Sequence, residues 1–274
     1  MKFWIYYHVS DHPGWRELID EKVTIMQAAN MWQQAERIHF QLHYDPNSFS
    51  DWLGSAPYLN DPRVSVKLYH QQVKDTSFAP SFKPLGETYS MIDLHADVMA
   101  LEEPRAIFRY STKGITHRND ETWPVAVAWN DYIDYWNIGK WGLCLVALMA
   151  GFDTVGANWH AKDDPTGHWS GTVWWAHSDY IKRLPKLTLP HLVMFENQLG
   201  GFSPRHDAEV WIGYNGPKYL ELNHYEHAVV YHVVPPKAEN YLLAQDLANF
   251  KPIEPESPKE RGPDDPLLTR TWVS

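Results

Sequence analysis

Cysteine is almost absent from this chain. A single Cys144 in 274 residues excludes an intramolecular disulfide and a cysteine-ligated zinc site, and it fits a reducing compartment. Basic charge is also scarce. Against 34 Asp and Glu there are 24 Lys and Arg, a formal net charge of -10, which argues against binding nucleic acid through a basic stripe. No apolar run approaches the roughly 18 residues of a membrane span. The opening MKFWIYYHVS is too short and aromatic for a secretory h-region. There is no internal repeat. These shortages predict a soluble, cytoplasmic protein with no transmembrane segment and no nucleic-acid partner. The length suffices for one large core.

Aromatic residues are plentiful: 14 Trp, 15 Tyr and 10 Phe, an excess that fills a core by default and that can also form a stacking surface or cover an interface. The aromatic run Lys2 to His8 reads as a strand closed by Ser10-Asp11-His12-Pro13-Gly14. Leu18, Ile19, Val23, Met26, Ala29 and Trp32 then recur at helical spacing through Trp15 to Ile38, and His39 to His43 is a second strand. A turn-rich stretch over Asp51 to Asp61 leads to a strand over Arg63 to His70. A helix over Thr88 to Leu101 and a strand over Arg105 to Tyr110 follow. The order predicts an α/β fold, a mostly parallel sheet flanked by helices, with ligands at the carboxyl ends of its strands. Beyond it come a helix over Trp123 to Met149 broken at Gly139 and Gly142, with Cys144 buried in it. Strands over Phe152 to Asn158 and His168 to Ala176 follow, then a short helix from Ser178 with that serine as N-cap. One domain over residues 1–250 and a Pro-rich charged tail over 251–274 are expected.

Three stretches carry chemistry. Tyr110-Ser111-Thr112-Lys113-Gly114, at a strand end, offers hydroxyls, backbone N–H groups and one point charge, a set that suits a diphosphate. It lacks the upstream glycine of a Walker loop, and a solvated turn is the plain alternative. Asn158-Trp159-His160 and His168-Trp169-Ser170-Gly171-Thr172-Val173-Trp174-Trp175 combine small polar residues with four Trp whose indole N–H groups need partners. At least one of Trp174 and Trp175 must face the core, because strand neighbours point opposite ways. Arg205-His206-Asp207-Ala208-Glu209-Val210-Trp211 sets two carboxylates before an apolar element. Glu209 reads either as a general base or as a capping carboxylate. Asp93 and Asp97 lie one helical turn apart, a solvated face or a shared cation site. The histidines His8, His160, His168 and His177 show no metal-ligand spacing.

Taken together, WIYYHVS, YSTKG, DTVGAN, HWSGTVWWAHSDYIKRLP and AEVW resemble a family of nucleotide-sugar-dependent glycosyltransferases of the GT-A type found in polysaccharide assembly. The family forms are similar to Y-x-H-T-K-G and H-[FY]-S-G-N-F-W-W-A. The resemblance implies a GT-A-like, Rossmann-type sheet, a nucleotide-sugar donor and a glycan acceptor. It implies a base and ribose near Tyr7, His8 and Val9, and a diphosphate near Ser111, Thr112, Lys113 and Gly114 with Arg205. Asn158, His168, Ser170, Gly171, Trp174 and Trp175 would form the sugar and acceptor region, with Glu209, or else Asp207, as the base of an inverting transfer. Such enzymes use Mn²⁺ or Mg²⁺ held by a DxD motif at the strand end. Here that end reads STKG, so no metal ligand is assigned and Lys113 is expected to meet the diphosphate charge. Ser111 stands where the family form has His, and Thr172 where it has Asn. A non-catalytic carbohydrate-binding module, a glycoside hydrolase with paired carboxylates, and a transferase acting on a DNA base are the rivals.

Overall fold

The computed structural model describes residues 1–10, 13–44, 49–70, 86–112, 123–160, 167–186 and 209–223. Its first strand, β1 (Phe3–Ser10), is buried on both sides, as an apolar run without alternation requires of a central parallel strand. Helix α1 (Trp15–Ala28) and the short α2 (Met31–Gln34) return the chain to β2 (Arg37–Tyr44). The helix expected over Trp15 to Ile38 therefore ends early. Asn30 takes a left-handed φ of 58°, a conformation asparagine tolerates and an α-helix does not. Helix α3 (Ser50–Ser55) and a 3₁₀ turn (Pro57–Asn60) occupy the stretch expected to be only turns, before β3 (Val64–His70). Then come α4 (Gly86–Met99) and β4 (Ala106–Ser111).

Helix α5 (Trp123–Asp134) runs through a π-helical Tyr135–Gly139 into α6 (Trp141–Met149). The interruption falls at Gly139, whereas Gly142 lies inside α6. Widening the helix at this point coincides with a tertiary bond: the Asn137 carbonyl accepts the indole N–H of Trp175 at 2.9 Å. Cys144 is buried in α6, and burial pushes its thiol up. The remaining elements are β5 (Thr154–Gly156), β6 (Trp159–His160), β7 (His168–Trp169), β8 (Trp174–His177), α7 (Ser178–Arg183) and β9 (Tyr219–Glu221).

Seven strands form one sheet in the order β3-β2-β1-β4-β8-β5-β9. Every neighbouring pair is parallel except those of β8, which runs against both β4 and β5. The protein is thus mixed α/β with a mostly parallel sheet. A separate ribbon pairs β6 with β7. One face buries Ile5, Tyr7, Phe40, Phe108 and Trp175 beneath α1, α5 and α6. The other buries Trp4, Tyr6, Ile107 and Trp174 beneath α4 and α7. Asp97 accepts from the Tyr6 hydroxyl at 3.1 Å and Asp93 accepts from Tyr69; Asp97 is exposed and Asp93 half-buried, so the helix face expected to be solvated is so while also bonding the sheet. No described helix is long and apolar enough to cross a membrane. The expected tail over 251–274 lies outside the described residues.

At the amino end of the sheet Glu36 gathers Arg105 Nε at 2.6 Å, Lys2 Nζ at 3.0 Å and Trp4 Nε1 at 3.0 Å. Partial burial works to raise its pKa, but the hydrogen bonds from Arg105, Lys2 and Trp4 outweigh it and hold the carboxyl at about 2, from a usual 4.5. Because the folded value lies below the unfolded one, this stabilisation is full above about 4.5 and is lost as pH falls toward 2. Acid titration of unfolding is expected to show a loss in that window, and Glu36→Gln to flatten part of it.

Candidate functional site

The sheet order reverses at β1. The connection through α1 places β2 on one side of it, and β4 returns on the other, so the carboxyl ends of β1 and β4 form the switch point, the position where α/β sheets bind ligands in a crevice. His8 pairs in register with Ser111. Beyond the ladder, Thr112 N–H donates to the His8 carbonyl at 3.1 Å, and Ser10 N–H donates to Thr112 Oγ1 at 3.1 Å. Ser10 Oγ lies 3.4 Å from His8 Nε2. The two strand ends are therefore latched together at the switch point.

The second stretch arrives from the antiparallel side. After β7, a tight turn over Ser170–Thr172 breaks the single strand expected from His168 to Ala176 in two. Gly171 and Thr172 both have left-handed φ, 68° and 58°, which no strand continues through. Ser111 Oγ donates to the Gly171 carbonyl at 2.9 Å, joining the end of β4 to this turn across 60 residues of sequence. Asn158, also left-handed at φ 61°, donates from Nδ2 to Ser170 Oγ at 3.1 Å and lies 3.2 Å from His160 Nε2, which is itself hydrogen-bonded to Ser170 Oγ. The His160 and His168 rings stack across the ribbon at 5.1 Å. Gly167 allows the ribbon its close approach: at φ 70°, a Cβ there would come within 2.5 Å of the Trp159 ring.

A Thr in the left-handed region carries a steric cost that asparagine largely avoids, which gives a physical reason for Asn in the similar motif. Thr172→Asn is expected to raise stability by about 1 kcal/mol, read as a higher urea midpoint at unchanged slope.

The structure brings together Ser111, Thr112, Ser170, Gly171, Asn158 and His168 around this point. It encloses others in the core. Tyr7 is turned onto Tyr110, with ring centroids 5.0 Å apart, and Val9 is wholly buried beside it, so neither presents a side chain to a ligand. Trp174 and Trp175 are both fully buried, one on each face of the sheet, and serve as core where a stacking surface was expected. Trp169 is likewise enclosed, donating to Thr154 Oγ1 at 2.7 Å. Ser178 is not the N-cap of α7. The His177 ring accepts from Asp179 N–H at 3.2 Å, and Ser178 Oγ accepts from Arg105 N–H at 2.9 Å. Lys113, Gly114, Arg205 and Asp207 lie outside the described residues.

Glu209 is half-buried and leads through Val210 into the 3₁₀ turn Trp211–Gly213. Trp211 anchors that turn. Its ring is fully buried with its edge on His95 at 5.5 Å, and its indole N–H donates to the Pro185 carbonyl at 2.8 Å. The turn packs on β7.

Two charged groups beneath the switch point escaped the sequence reading. Arg109 is fully buried on β4, donating to Glu87 and Ser90 Oγ of α4, each at 3.2 Å, and to the Tyr110 carbonyl. On the opposite face Lys22 Nζ lies 2.7 Å from the Asp134 carboxylate, which also accepts from Tyr110 OH at 2.7 Å. A signal for each was present: an Arg inside the apolar run RAIFRY, and a Lys between Ile19, Val23 and Met26 on a helix stripe. Among the described residues no three His, Cys, Asp or Glu are placed to hold a metal ion. Comparison with known protein families finds no matching family model, and no curated protein matches the chain.

Proposed function

We propose that the chain is a nucleotide-sugar-dependent glycosyltransferase with a GT-A-like fold, transferring a sugar to a hydroxyl of a glycan acceptor. The observation that carries this reading is the Ser111 to Gly171 hydrogen bond at the switch point. It joins, at the ligand-binding end of a doubly covered sheet, the two segments whose motifs resemble that family. The strand order, with one reversed strand beside β4, supports the same reading.

In this mechanism Glu209 takes the proton of the acceptor hydroxyl as its oxygen attacks the anomeric carbon. The bond to the diphosphate breaks on the opposite side, inverting that centre. The departing nucleoside diphosphate carries the electron pair away, its charge met by Lys113 and Arg205. Ser111 and Thr112 contribute by holding the β1 and β4 ends, since both hydroxyls already bond the backbone. Among the described residues no three His, Cys, Asp or Glu stand together to hold a divalent cation, so no step is routed through one.

A thermal-shift panel of UDP, GDP, CDP and dTDP sugars, each with Mn²⁺ and with EDTA, tests the reading. At least one donor is expected to raise the melting temperature in both conditions, and Lys113→Ala to weaken nucleoside diphosphate binding about tenfold. No shift with any donor would transfer the site to a carbohydrate-binding role.

A further inference from the structure

We propose that the exposed apolar stripe of α6 is the docking face for residues 237–250 of the same chain, a segment outside the described residues. Helix α6 reads WGLCLVALM and has no charged side chain on any side. A helix that is apolar all round is ordinarily covered all round. Cys144, Leu145, Ala147 and Leu148 are indeed buried, but Val146 and Met149 are 58% and 56% exposed. With Gly142, also exposed, they stand at i, i+4 and i+7, one line along the outer face. Met1 is exposed beside them and extends the patch, its ammonium 3.7 Å from the Met149 sulfur. At Gly142 there is room for an incoming side chain, since a Cβ there would meet nothing within 4 Å.

Residues 237–250 carry a matching stripe. Leu243, Leu247 and Phe250 recur at the same i, i+4, i+7 spacing with Ala244 and Ala248 beside them, while Glu239, Gln245, Asp246 and Asn249 fall on the other side. Leu242 is the one leucine off the stripe. Pro235-Pro236 and Pro252 bound the segment, and between them the pattern predicts an amphipathic helix. At such a length a helix is marginal in water unless a surface buries its apolar side. The carboxylates Glu239 and Asp246 are opposite in sign to the Met1 ammonium at the patch.

The chain leaves the described structure within reach of this face. Asn223, the last described residue, is held to α5 by the Tyr132 hydroxyl, which donates to its carbonyl at 2.9 Å. From Tyr132 to Met149 the helical path advances at most about 26 Å, at about 1.5 Å per residue. Residues 224–236 can span up to roughly 43 Å, at about 3.3 Å each. The whole stripe is therefore accessible to the segment. Tethered so, it meets the stripe at an effective concentration on the order of millimolar, well above that of a second copy free in dilute solution. Docking there closes the domain at residue 250.

Mild oxidation of the full chain carrying Val146→Cys and Leu247→Cys tests the contact. These are the central positions of the two stripes, so they meet whether the helices run parallel or antiparallel. Cys144, buried with its thiol pKa pushed up, does not compete. A disulfide within one chain is expected, read as a linked peptide by mass spectrometry and a monomer band on a non-reducing gel. In the parent, deuterium exchange over residues 241–250 should be slowed at least about tenfold from its intrinsic rate, and Val146→Asp and Leu247→Asp should each return it to within about twofold. Leu247→Asp lies outside α6 and keeps the test open if Val146→Asp unfolds the chain. Four results would overturn the proposal: no link, a link between chains with the mass of a dimer, fast exchange over 241–250 in the parent, or slow exchange that survives in a folded Val146→Asp variant. The link between chains would assign the stripe to a second copy. None of these outcomes bears on the transferase reading, which is tested by donor binding.

Discussion

Replacing Lys22 by Met is expected to cost about 3–5 kcal/mol of unfolding free energy, the usual consequence of removing one partner from a buried ion pair. Lys22 and Asp134 have side chains only 2% and 5% exposed, and their 2.7 Å contact is the route by which the carboxylate charge is tolerated between α1, α5 and β4. Without the ammonium, Asp134 keeps Tyr110 as a donor but loses its counter-charge. Burial already pushes the Asp134 pKa up, against the opposing pull of Lys22, and in the variant that pull is gone. A carboxyl whose folded pKa exceeds its unfolded value is most stabilising when protonated. The deficit should therefore be smallest at low pH and grow as pH rises above the ordinary carboxylate range. Urea unfolding at pH 5 and pH 8 reads this directly. The double variant Lys22→Met with Asp134→Asn should recover most of the loss, because the amide still accepts from Tyr110 and carries no charge. A single variant as stable as the parent would show that the pair contributes little.

Glu209→Gln is expected to lower sugar transfer by a factor of about 10² to 10⁴ while leaving donor affinity unchanged, the pattern of a lost general base. The substitution preserves size and shape, so the Trp211 anchor that follows it should stay in place. Measurement of kcat and KM for the donor, with melting temperature as the folding control, checks this. Unchanged turnover would remove Glu209 from the mechanism, and a parallel rise in donor KM would assign it a binding role.

The sheet was legible because its strands are locally marked. FWIYYHV, RIHFQLH and AIFRYS are apolar or alternating runs that end at turn residues, and the long helical stripe of α1 between the first two imposes a parallel crossover. Errors cluster where the backbone turns left-handed. Asn30 cuts the first helix short, and Gly171 with Thr172 cuts one strand into β7 and β8. Glycine and asparagine at those positions are compatible with either path, and tertiary contacts decide between them. The tryptophans show the same limit. Composition raised a stacking surface, yet Trp169, Trp174 and Trp175 are buried, with the indole N–H groups of Trp169 and Trp175 satisfied by Thr154 and the π-helical Asn137.

By itself the sequence determined the α/β class, the burial of Cys144, and the strand-end position of Ser111 and Thr112, all consequences of local periodicity and turn chemistry. Only the tertiary structure decided that Ser111 would meet Gly171 and that Asn158, His160 and Ser170 would share one network. It likewise decided that Lys22 and Arg109 would be buried as ion-paired cations. Those contacts join residues far apart in the chain, and they depend on which strand lies beside β4. That placement is set by how the whole sheet buries its two apolar faces, and no local stretch of sequence encodes it.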